Sequence, residues 1–468
     1  MTGENECHRI FENVLFTKVF RTFRIAIQPT KLAIALAAVA IICLSGWIMD
    51  LTGPVVATEG GFSELDAYLS NQVSVADFIK ANKETGQRVG LFYTLWHHCS
   101  QKFHAALYSL FSFRLPDAAA HIGGWFQAAG WAIKYHYIYC AIFIVIKLAV
   151  ISIAGGAICR IAALQFARDE KPGLTEALRY GFTKILSFFT APLLPAAMIV
   201  FIGVFVLLLG LLANITWVGE LLMGVFMPLA LLAGALIAVI VIGAVAGFNL
   251  MFPAVAYDGS DCFDAMSRAM SYIYSRPWSM ALYSGLAVVY GAICYVFVRF
   301  FAFLMLLTTY VILDIGLFRD GKMARLWPRP TFAQLVPPGT EATANGTEWF
   351  SAHLIYLFLL VVVGLVVAFV ISFYFSANTI IYALMRKKVD DTTIDDIYVP
   401  TDAEQAEAGE AAGAAEQAAE QEQAGEAEEP GEDQGSDTGK QRNTKQPQGS
   451  GDQPQEQADD SENAGPQA

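Results

Sequence analysis

Long apolar runs alternate along this chain with shorter segments that carry most of its charges. A helix of about 20 apolar residues crosses the roughly 30 Å hydrocarbon core of a bilayer. The runs long enough for this begin with 32–51, whose residues 32–49 are uncharged, and continue with 137–159, 185–212, 222–249, 278–313 and 354–384. The pattern predicts an all-α, polytopic membrane protein with about six transmembrane helices.

The run at 278–313 is longer than one crossing requires, so two interpretations are open. It forms either a single long span or two short ones, which would make seven spans and move the following loop to the other side of the membrane. That loop contains Arg319, Lys322, Arg325 and Arg329. We take the single span, which gives six.

Two segments outside the spans have helical patterns of their own. Residues 1–31 place Lys18, Arg21 and Arg24 beside an aromatic and aliphatic face, which predicts an amphipathic helix on the membrane surface. Residues 52–134 form a mixed-polarity, mainly helical segment in which the spacing of Ser74 and Asp77 predicts a capping box.

A polar segment after the second apolar run has a clear helical period. Apolar residues recur there at helical spacing from Leu174 to Leu186, which predicts a short interfacial helix. A second segment, 255–278, aligns with it: Asp169 matches Asp258, Ala177 and Leu178 match Ala265 and Met266, Phe182 matches Met270, and Ile185 matches Ile273. We interpret 135–389 as a membrane domain that contains a duplicated unit of span, acidic turn, interfacial helix and span. The alternative is that short loops of any polytopic protein show some of this pattern.

The segment GGAICRIAALQFARDEKPGLTEALRYGFTKILSFFTAPLLP, at 155–195, resembles the signature of an uncharacterised family of bacterial six-span membrane proteins. More distantly, it is similar to the membrane domain attached to some glycerophosphodiester phosphodiesterases. The similarity covers about residues 130–390 and includes IYALMRKKVDDTTIDDIYV, at 381–399. The resemblance implies a bacterial membrane protein with six spans. It does not imply the phosphodiesterase reaction, because the catalytic barrel of those enzymes is not in this chain.

Basic residues in the connecting segments predict the orientation. Fifteen lysines and arginines lie in the segments on the side of the N-terminus, and ten lie in the much longer segments on the other side. Cytoplasmic loops carry the excess of Lys and Arg, so we expect a multi-pass protein of the bacterial cytoplasmic membrane with both termini in the cytoplasm.

The C-terminal part of the chain has a different composition. The net charge of −13 arises in residues 401–468, which contain 18 acidic and three basic side chains. This segment has few large apolar residues to bury, so we predict a disordered acidic tail after an acidic linker at 390–400. Within that linker, the sequence DDTTIDD at 390–396 predicts a helix cap and a solvated exit from the sixth span, since no second Asp cluster for a magnesium site is evident.

Two cations inside the apolar runs are the strongest candidates for a binding site. Lys147 lies near the middle of the second run, and Arg299 lies within the fifth. A charge at the centre of a span costs roughly 2.5–3.5 kcal/mol, so it is a functional hypothesis by default. The two together suggest a site for an anionic lipid or solute. The alternative is that both side chains extend outward to the membrane surface.

Metal and catalytic signals are weak. Five of the seven histidines lie between 97 and 136, and only His97 and His104 share a helix face as metal-ligand candidates. No GxSxG, HExxH or P-loop pattern occurs. We therefore expect no cofactor and no catalytic residue, although an enzyme is not excluded.

The sequence favours a non-enzymatic membrane protein that acts as a scaffold or assembly partner. Its expected partners are membrane lipids and other membrane or cytoplasmic proteins bound through the tail, and not nucleic acid. The alternative is a transporter or lipid-handling protein with an anion site near Lys147 and Arg299. Substrate, partner identity, physiological process and oligomeric state are not encoded in any recognisable pattern.

Overall fold

The computed structural model of the protein describes residues 15–58, 60–71, 74–83, 85–317, 322–337 and 346–399. Six helices are long and apolar enough to cross a membrane, and we number them spans 1 to 6 in chain order. They are Pro29–Asp50, Tyr137–Arg168, Leu194–Leu212, Val218–Asp258, Pro277–Gly316 and Gly346–Val389. The predicted six-span helical architecture is confirmed. Residues 1–14 and the predicted tail, 401–468, lie outside the described part of the chain.

The segment before span 1 packs into the helical bundle. It forms a 3-10 helix, Leu15–Arg21, and a short α-helix, Thr22–Ala26. The ring of Phe23 contacts the rings of Phe297 in span 5 and Phe369 in span 6. The sequence predicted a helix on the membrane surface over 1–31, whereas the apolar side of the described part faces neighbouring spans.

Between spans 1 and 2 the chain forms a compact mixed segment. Its helices are Glu64–Ser70, Val75–Ala81, Leu91–Phe111 and Leu115–Tyr135, and its strands are β1, Val55–Ala57, and β2, Gln87–Val89. The strands pair antiparallel, with Val55 opposite Val89. A mainly helical segment was predicted here, and the strands are too short to leave an alternating pattern that sequence could reveal.

The capping box in this segment lies at a different serine from the predicted one. Ser63 accepts a hydrogen bond from the amide of Asp66, and the Asp66 carboxylate accepts one from the amide of Ser63. The helix Val75–Ala81 begins after Ser74 as expected, but Ser74 makes no side-chain cap hydrogen bond. The predicted box at Ser74 was wrong, because Ser-x-x-Asp spacing occurs at both places and does not distinguish them.

Asp50, the last residue of span 1, joins this segment to the bundle. Its Oδ1 and Oδ2 accept hydrogen bonds from the amides of Phe92 (2.9 Å) and Tyr93 (2.8 Å). Those amides lie in the first turn of the helix Leu91–Phe111, where free N–H groups and the helix dipole favour a carboxylate. Tyr139 of span 2 donates a third hydrogen bond, of 2.7 Å, to Oδ1.

The chain then passes twice through the order span, turn, connecting helix, span. Span 2 is followed by Asp169 in the left-handed region (φ 57°) and by the first connecting helix, Leu174–Thr183. Span 4 is followed by Gly259 (φ 66°) and by the second connecting helix, Cys262–Ser275. The carboxylate of Asp261 caps the second connecting helix by accepting the amide of Asp264 at 2.8 Å.

Span 3 begins later than the apolar pattern suggested. A separate short helix, Ile185–Thr190, comes first, and three turn residues separate it from Leu194–Leu212. Pro192 falls in this break, and Pro195 lies in the first turn of span 3. Proline lacks the amide hydrogen that a helix interior needs, so the predicted single helix over 185–212 is interrupted there.

Small residues set the distance between spans 2, 4 and 6 and the connecting helices. A Cβ added at Gly155 would lie 2.5 Å from the ring of Phe375, and one at Gly247 would lie 3.3–3.4 Å from Ile273 and Ala269. Glycine at such positions lets helices approach closely. The glycine spacings in the sequence therefore serve helix packing.

Span 5 is one uninterrupted helix, which settles the alternative of two short spans in favour of one. Beyond its middle it packs on the start of span 6 and on a loop with the short helix Lys322–Leu326. The main core lies elsewhere, between the N-terminal segment, spans 1, 2, 4, 5 and 6, and both connecting helices. Span 3 is peripheral, with only 6% of its most apolar stretch buried.

Candidate functional site

A network of charged side chains joins the ends of spans 4 and 6. The Asp258 carboxylate lies 3.2 Å from Nε of Arg386, as an ion pair without hydrogen-bond alignment, and 3.3 Å from Nη1 of Arg268. Tyr382 also donates a hydrogen bond to Asp258. We call these four residues the charged hub. The side chains of Asp258 and Arg386 are only 7% and 11% exposed, whereas that of Arg268 is 38% exposed.

Tyrosine rings connect the charged hub to the apolar core. The ring of Tyr382 lies 6.0 Å from that of Tyr257 and 5.5 Å from that of Tyr272, and Arg386 lies over Tyr257 at 5.5 Å. The hydroxyl of Tyr272 donates to Asp390 at 2.5 Å. Burial and this carboxylate raise the pKa of Tyr272, which therefore stays a neutral donor.

The charged hub also fixes the segment that follows span 6. We call residues 390–399 the exit segment. Arg386 donates to the carbonyl and carboxylate oxygens of Asp396 at 2.5 and 3.0 Å. Tyr257 donates to the carbonyl of Ile394 and accepts the amide of Tyr398 at its own carbonyl, at 3.0 Å. Ile397 is buried, so the chain leaves the bundle from a defined position.

Span 2 and the segment that follows it also contact the end of span 4. Arg160 of span 2 donates to the carbonyl of Ala256 at 3.1 Å, and Tyr180 of the first connecting helix donates to the carbonyl of Val255 at 2.9 Å. Lys184 lies 3.4 Å from the carbonyl of Gly259. The last carbonyls of a helix have no partner within it and attract cations, so these contacts complete span 4.

A fully buried lysine lies near the start of span 1. Lys31 is 0% exposed, and its ammonium donates to the side-chain carbonyl of Gln165 in span 2 at 3.1 Å. An uncompensated buried charge costs several kcal/mol, so this contact joins the two spans.

Arg299, one of the two predicted binding cations, has all its donors engaged by the protein. Its guanidinium contacts the carbonyls of Phe332 (3.2 and 3.0 Å) and Ala333 (2.9 Å), the hydroxyl of Tyr295 (2.9 Å) and Nε2 of His104 (2.5 Å). An arginine has five N–H donors, and these five contacts match that number. Arg299 therefore fixes the loop after span 5 against the bundle.

Lys147, the other predicted binding cation, has different surroundings. Its side chain is exposed on span 2, and among the described residues no hydrogen bond or ion pair joins it to Arg299. The structure thus does not bring the two cations onto a shared ligand position. The site predicted for them stays a prediction.

The candidate metal-binding histidines also serve separate contacts. Nδ1 of His104 lies 2.8 Å from the carbonyl of Ser100, so it carries the hydrogen, and Nε2 faces Arg299. Burial and Arg299 lower the pKa of His104, which keeps the ring neutral. His97 stacks on Tyr93 and is exposed. Within the described ranges no three His, Cys, Asp or Glu side chains are grouped as metal ligands.

The charged hub was not identified from the sequence, although two of its signals were visible. Asp258 was aligned with Asp169, and Arg386 lies just after the sixth apolar run, 354–384. Chemically, the ions of the charged hub are paired with one another and with Asp264 and Asp396, and no nucleophile is paired with a base there. Its geometry suits a structural role, in which it holds the ends of spans 4 and 6 together.

Comparison with protein-family models, with curated proteins and with solved structures found no match to this chain. The family resemblance described from 155–195 therefore stays an expectation. Functional conclusions have to come from the residues themselves.

Proposed function

We propose that this protein is a non-enzymatic scaffold of the bacterial cytoplasmic membrane, with both termini in the cytoplasm. The observation that carries the proposal is the anchored exit segment. Residues 390–399 are held on the charged hub by side-chain and backbone contacts, and Ile397 is buried among them. The chain that follows thus starts at a fixed point on one face of the bundle.

The composition of residues 401–468 suggests what that anchored point presents. The segment has 18 acidic and three basic side chains. Complementary charge speeds encounter and selects partners, so a basic surface of another membrane or cytoplasmic protein is the expected partner. Anchoring keeps the tail at the membrane face and raises its effective concentration there.

The buried cations support a scaffold rather than a transporter, the alternative function. A transporter places polar groups on a cavity near the middle of the bilayer. In the described part of the chain, Lys31, Arg160 and Arg299 instead bond to Gln165, to a backbone carbonyl of span 4 and to the loop after span 5. These contacts fix helices and a loop in place, which is what a scaffold requires.

The proposed function is tested by capture in native membranes. Three tagged forms are compared after mild crosslinking: the full chain, a truncation after residue 400, and a chain whose 18 acidic tail residues are replaced by Asn or Gln. We expect a basic partner to be recovered with the full chain and lost from both variants, with unchanged thermal stability in detergent. Recovery of the same partner with the truncated form would contradict the role of the tail.

The orientation is tested separately by labelling single cysteines in intact cells. Positions 170, 265 and 390 should be protected from a membrane-impermeant reagent, and position 325 should be labelled. Labelling at position 265 or 390 would contradict a cytoplasmic face for the charged hub.

A further inference from the structure

A cleft beside the charged hub has the features of a ligand site that the sequence did not suggest. Its volume is about 790 Å³, within the usual range of about 300–1,000 Å³ for small-molecule sites. Three parts of the chain build it: the 3-10 helix before span 1, the end of span 2, and the end of span 6 with the exit segment. Its lining includes Lys18, Arg21, Phe166, Arg168, Asp169, Lys387, Asp391, Ile394 and Asp395.

Charged side chains of both signs line the cleft. The cations are Lys18, Arg21, Arg168 and Lys387, and the carboxylates are Asp169, Asp391 and Asp395. Among the described residues, Arg21, Arg168 and Lys387 form no ion pair with a carboxylate. The contrast with the charged hub, where ions pair directly, indicates that the cleft keeps both signs available to a ligand.

Two of the cations are held in position by neighbouring groups. The guanidinium of Arg21 lies over the ring of Phe166, 5.7 Å from its centre. Nε of Arg168 lies 3.5 Å from the backbone carbonyl of Asp395, at the edge of hydrogen-bond distance, so its terminal nitrogens remain for a ligand. Arginine donors of this kind suit the oxygens of a phosphate.

We propose that the cleft binds a phosphoethanolamine group, in which a phosphate and an ammonium lie a few bonds apart. The phosphate would contact Arg21, Arg168 and Lys387, and the ammonium would contact Asp391 or Asp395. Phe166 and Ile394 give the cleft an apolar side, which suits the carbon stem of a lipid. The cleft is built at the ends of spans 2 and 6, and the end of a transmembrane helix is where a lipid headgroup would reach it. Both proposals use the exit segment, but binding in the cleft does not require residues 401–468, so the loss of a tail partner would leave this inference standing.

The test is lipid retention measured by native mass spectrometry on the full chain in detergent. The probes are phosphatidylethanolamine and phosphatidylglycerol at equal concentration, and soluble phosphoethanolamine as a competitor. We expect the wild type to prefer phosphatidylethanolamine. The change Arg168→Gln should weaken retention of both lipids by about tenfold, the effect of one charge-assisted hydrogen bond.

The carboxylates give the sharper result, because they distinguish the two headgroups. The double change Asp391→Asn and Asp395→Asn should weaken phosphatidylethanolamine and strengthen phosphatidylglycerol, which reverses the preference. Matched controls outside the cleft are Arg24→Gln and Glu176→Gln, which are exposed residues on nearby helices. Neither control should change the ratio.

The competitor distinguishes the source of the group. Displacement of the lipid by soluble phosphoethanolamine would show that the headgroup alone is recognised, whereas retention against it would assign the site to the intact phospholipid. An unchanged lipid ratio in the double Asp variant, or equal retention in the Arg168→Gln variant and the wild type, would overturn the proposal. Each variant is first checked for an unchanged melting temperature, and Arg168→Lys, which keeps the charge, should recover most of the binding.

Discussion

The charged hub makes a quantitative prediction about stability. In the variant Asp258→Ala, Arg386 loses its buried partner and keeps Asp396, whose side chain is 63% exposed. Removing one partner of a buried pair costs about 3–5 kcal/mol. Arg268 is 38% exposed and can be solvated instead, so its pairing with Asp258 contributes only about 0–1 kcal/mol. We therefore expect Asp258→Ala and Arg386→Ala each to cost about 3–5 kcal/mol and Arg268→Gln to cost less than about 1 kcal/mol.

The double variant separates the ion pair from the other contacts of its members. It leaves no buried ion unpaired at the charged hub, because Arg268 keeps its contact with Asp264 and the Asp396 side chain is 63% exposed. Asp258→Ala combined with Arg386→Ala should therefore cost about 2 kcal/mol less than the sum of the two single changes. The assay is equilibrium unfolding in mixed micelles with increasing denaturing detergent, followed by tryptophan fluorescence. Limited proteolysis of the exit segment gives a second readout, because Arg386 holds Asp396 directly.

Two results would refute the reasoning about the charged hub. Additivity of Asp258→Ala and Arg386→Ala within about 0.5 kcal/mol would show that the two side chains are not coupled. A cost for Arg268→Gln as large as that for Asp258→Ala would show that exposure does not decide the strength of these pairs.

Three further predictions concern other parts of the fold. Gly155→Ala should lower the free energy of unfolding by about 1–3 kcal/mol, because the added Cβ meets the ring of Phe375. The control Gly210→Ala lies on an open face and should not destabilise the protein. Equal melting temperatures of the two variants would contradict this prediction. Arg299→Lys should cost about 2–4 kcal/mol because an ammonium has only three donors, and an unchanged unfolding free energy would show that the lost contacts are replaced. Since the folded state lowers the pKa of His104 below its ordinary 6.5, the unfolded chain takes up the proton first, and stability should fall as the pH drops below about 6.5. The variant His104→Gln should show a smaller fall between pH 7.5 and 5.5 in thermal unfolding, and an identical fall would exclude His104 as a cause.

The six spans were predictable because length and apolarity are what a bilayer demands of a helix. The residues at which the spans begin and end were less predictable. The fourth apolar run was placed at 222–249, whereas the helix is Val218–Asp258. Residues 250–258 include Pro253 and Asp258, which locally favour the end of a helix, but contacts with span 2 and with the connecting helices extend it. Tertiary packing overrides local preference in such cases.

The partners of the charged groups could not be predicted, because most of them are not marked by residue type. From the sequence, Arg299 was expected to bind an anionic lipid or solute, yet its main acceptors are the backbone carbonyls of Phe332 and Ala333. Any residue supplies a backbone carbonyl, so no sequence pattern announces it. The pairing of Asp258 with Arg386 depends likewise on how spans 4 and 6 meet, and their sequences do not encode this locally.

The lengths of spans 4, 5 and 6 explain why a buried ionic network can lie at one end of apolar helices. They have 41, 40 and 44 residues, or about 60–66 Å at 1.5 Å per residue. A helix tilted by as much as 40° needs only about 39 Å to cross a 30 Å core, so part of each helix must lie outside hydrocarbon. At the ends of spans 4 and 6, residues 250–257 and 375–386 are buried by protein. Their apolar side chains therefore serve packing between helices, so hydropathy alone overestimates how much of each helix can face lipid. The same protein cover buries the ion pair of Asp258 and Arg386 at the end of the bundle where the exit segment begins and where the cleft is built.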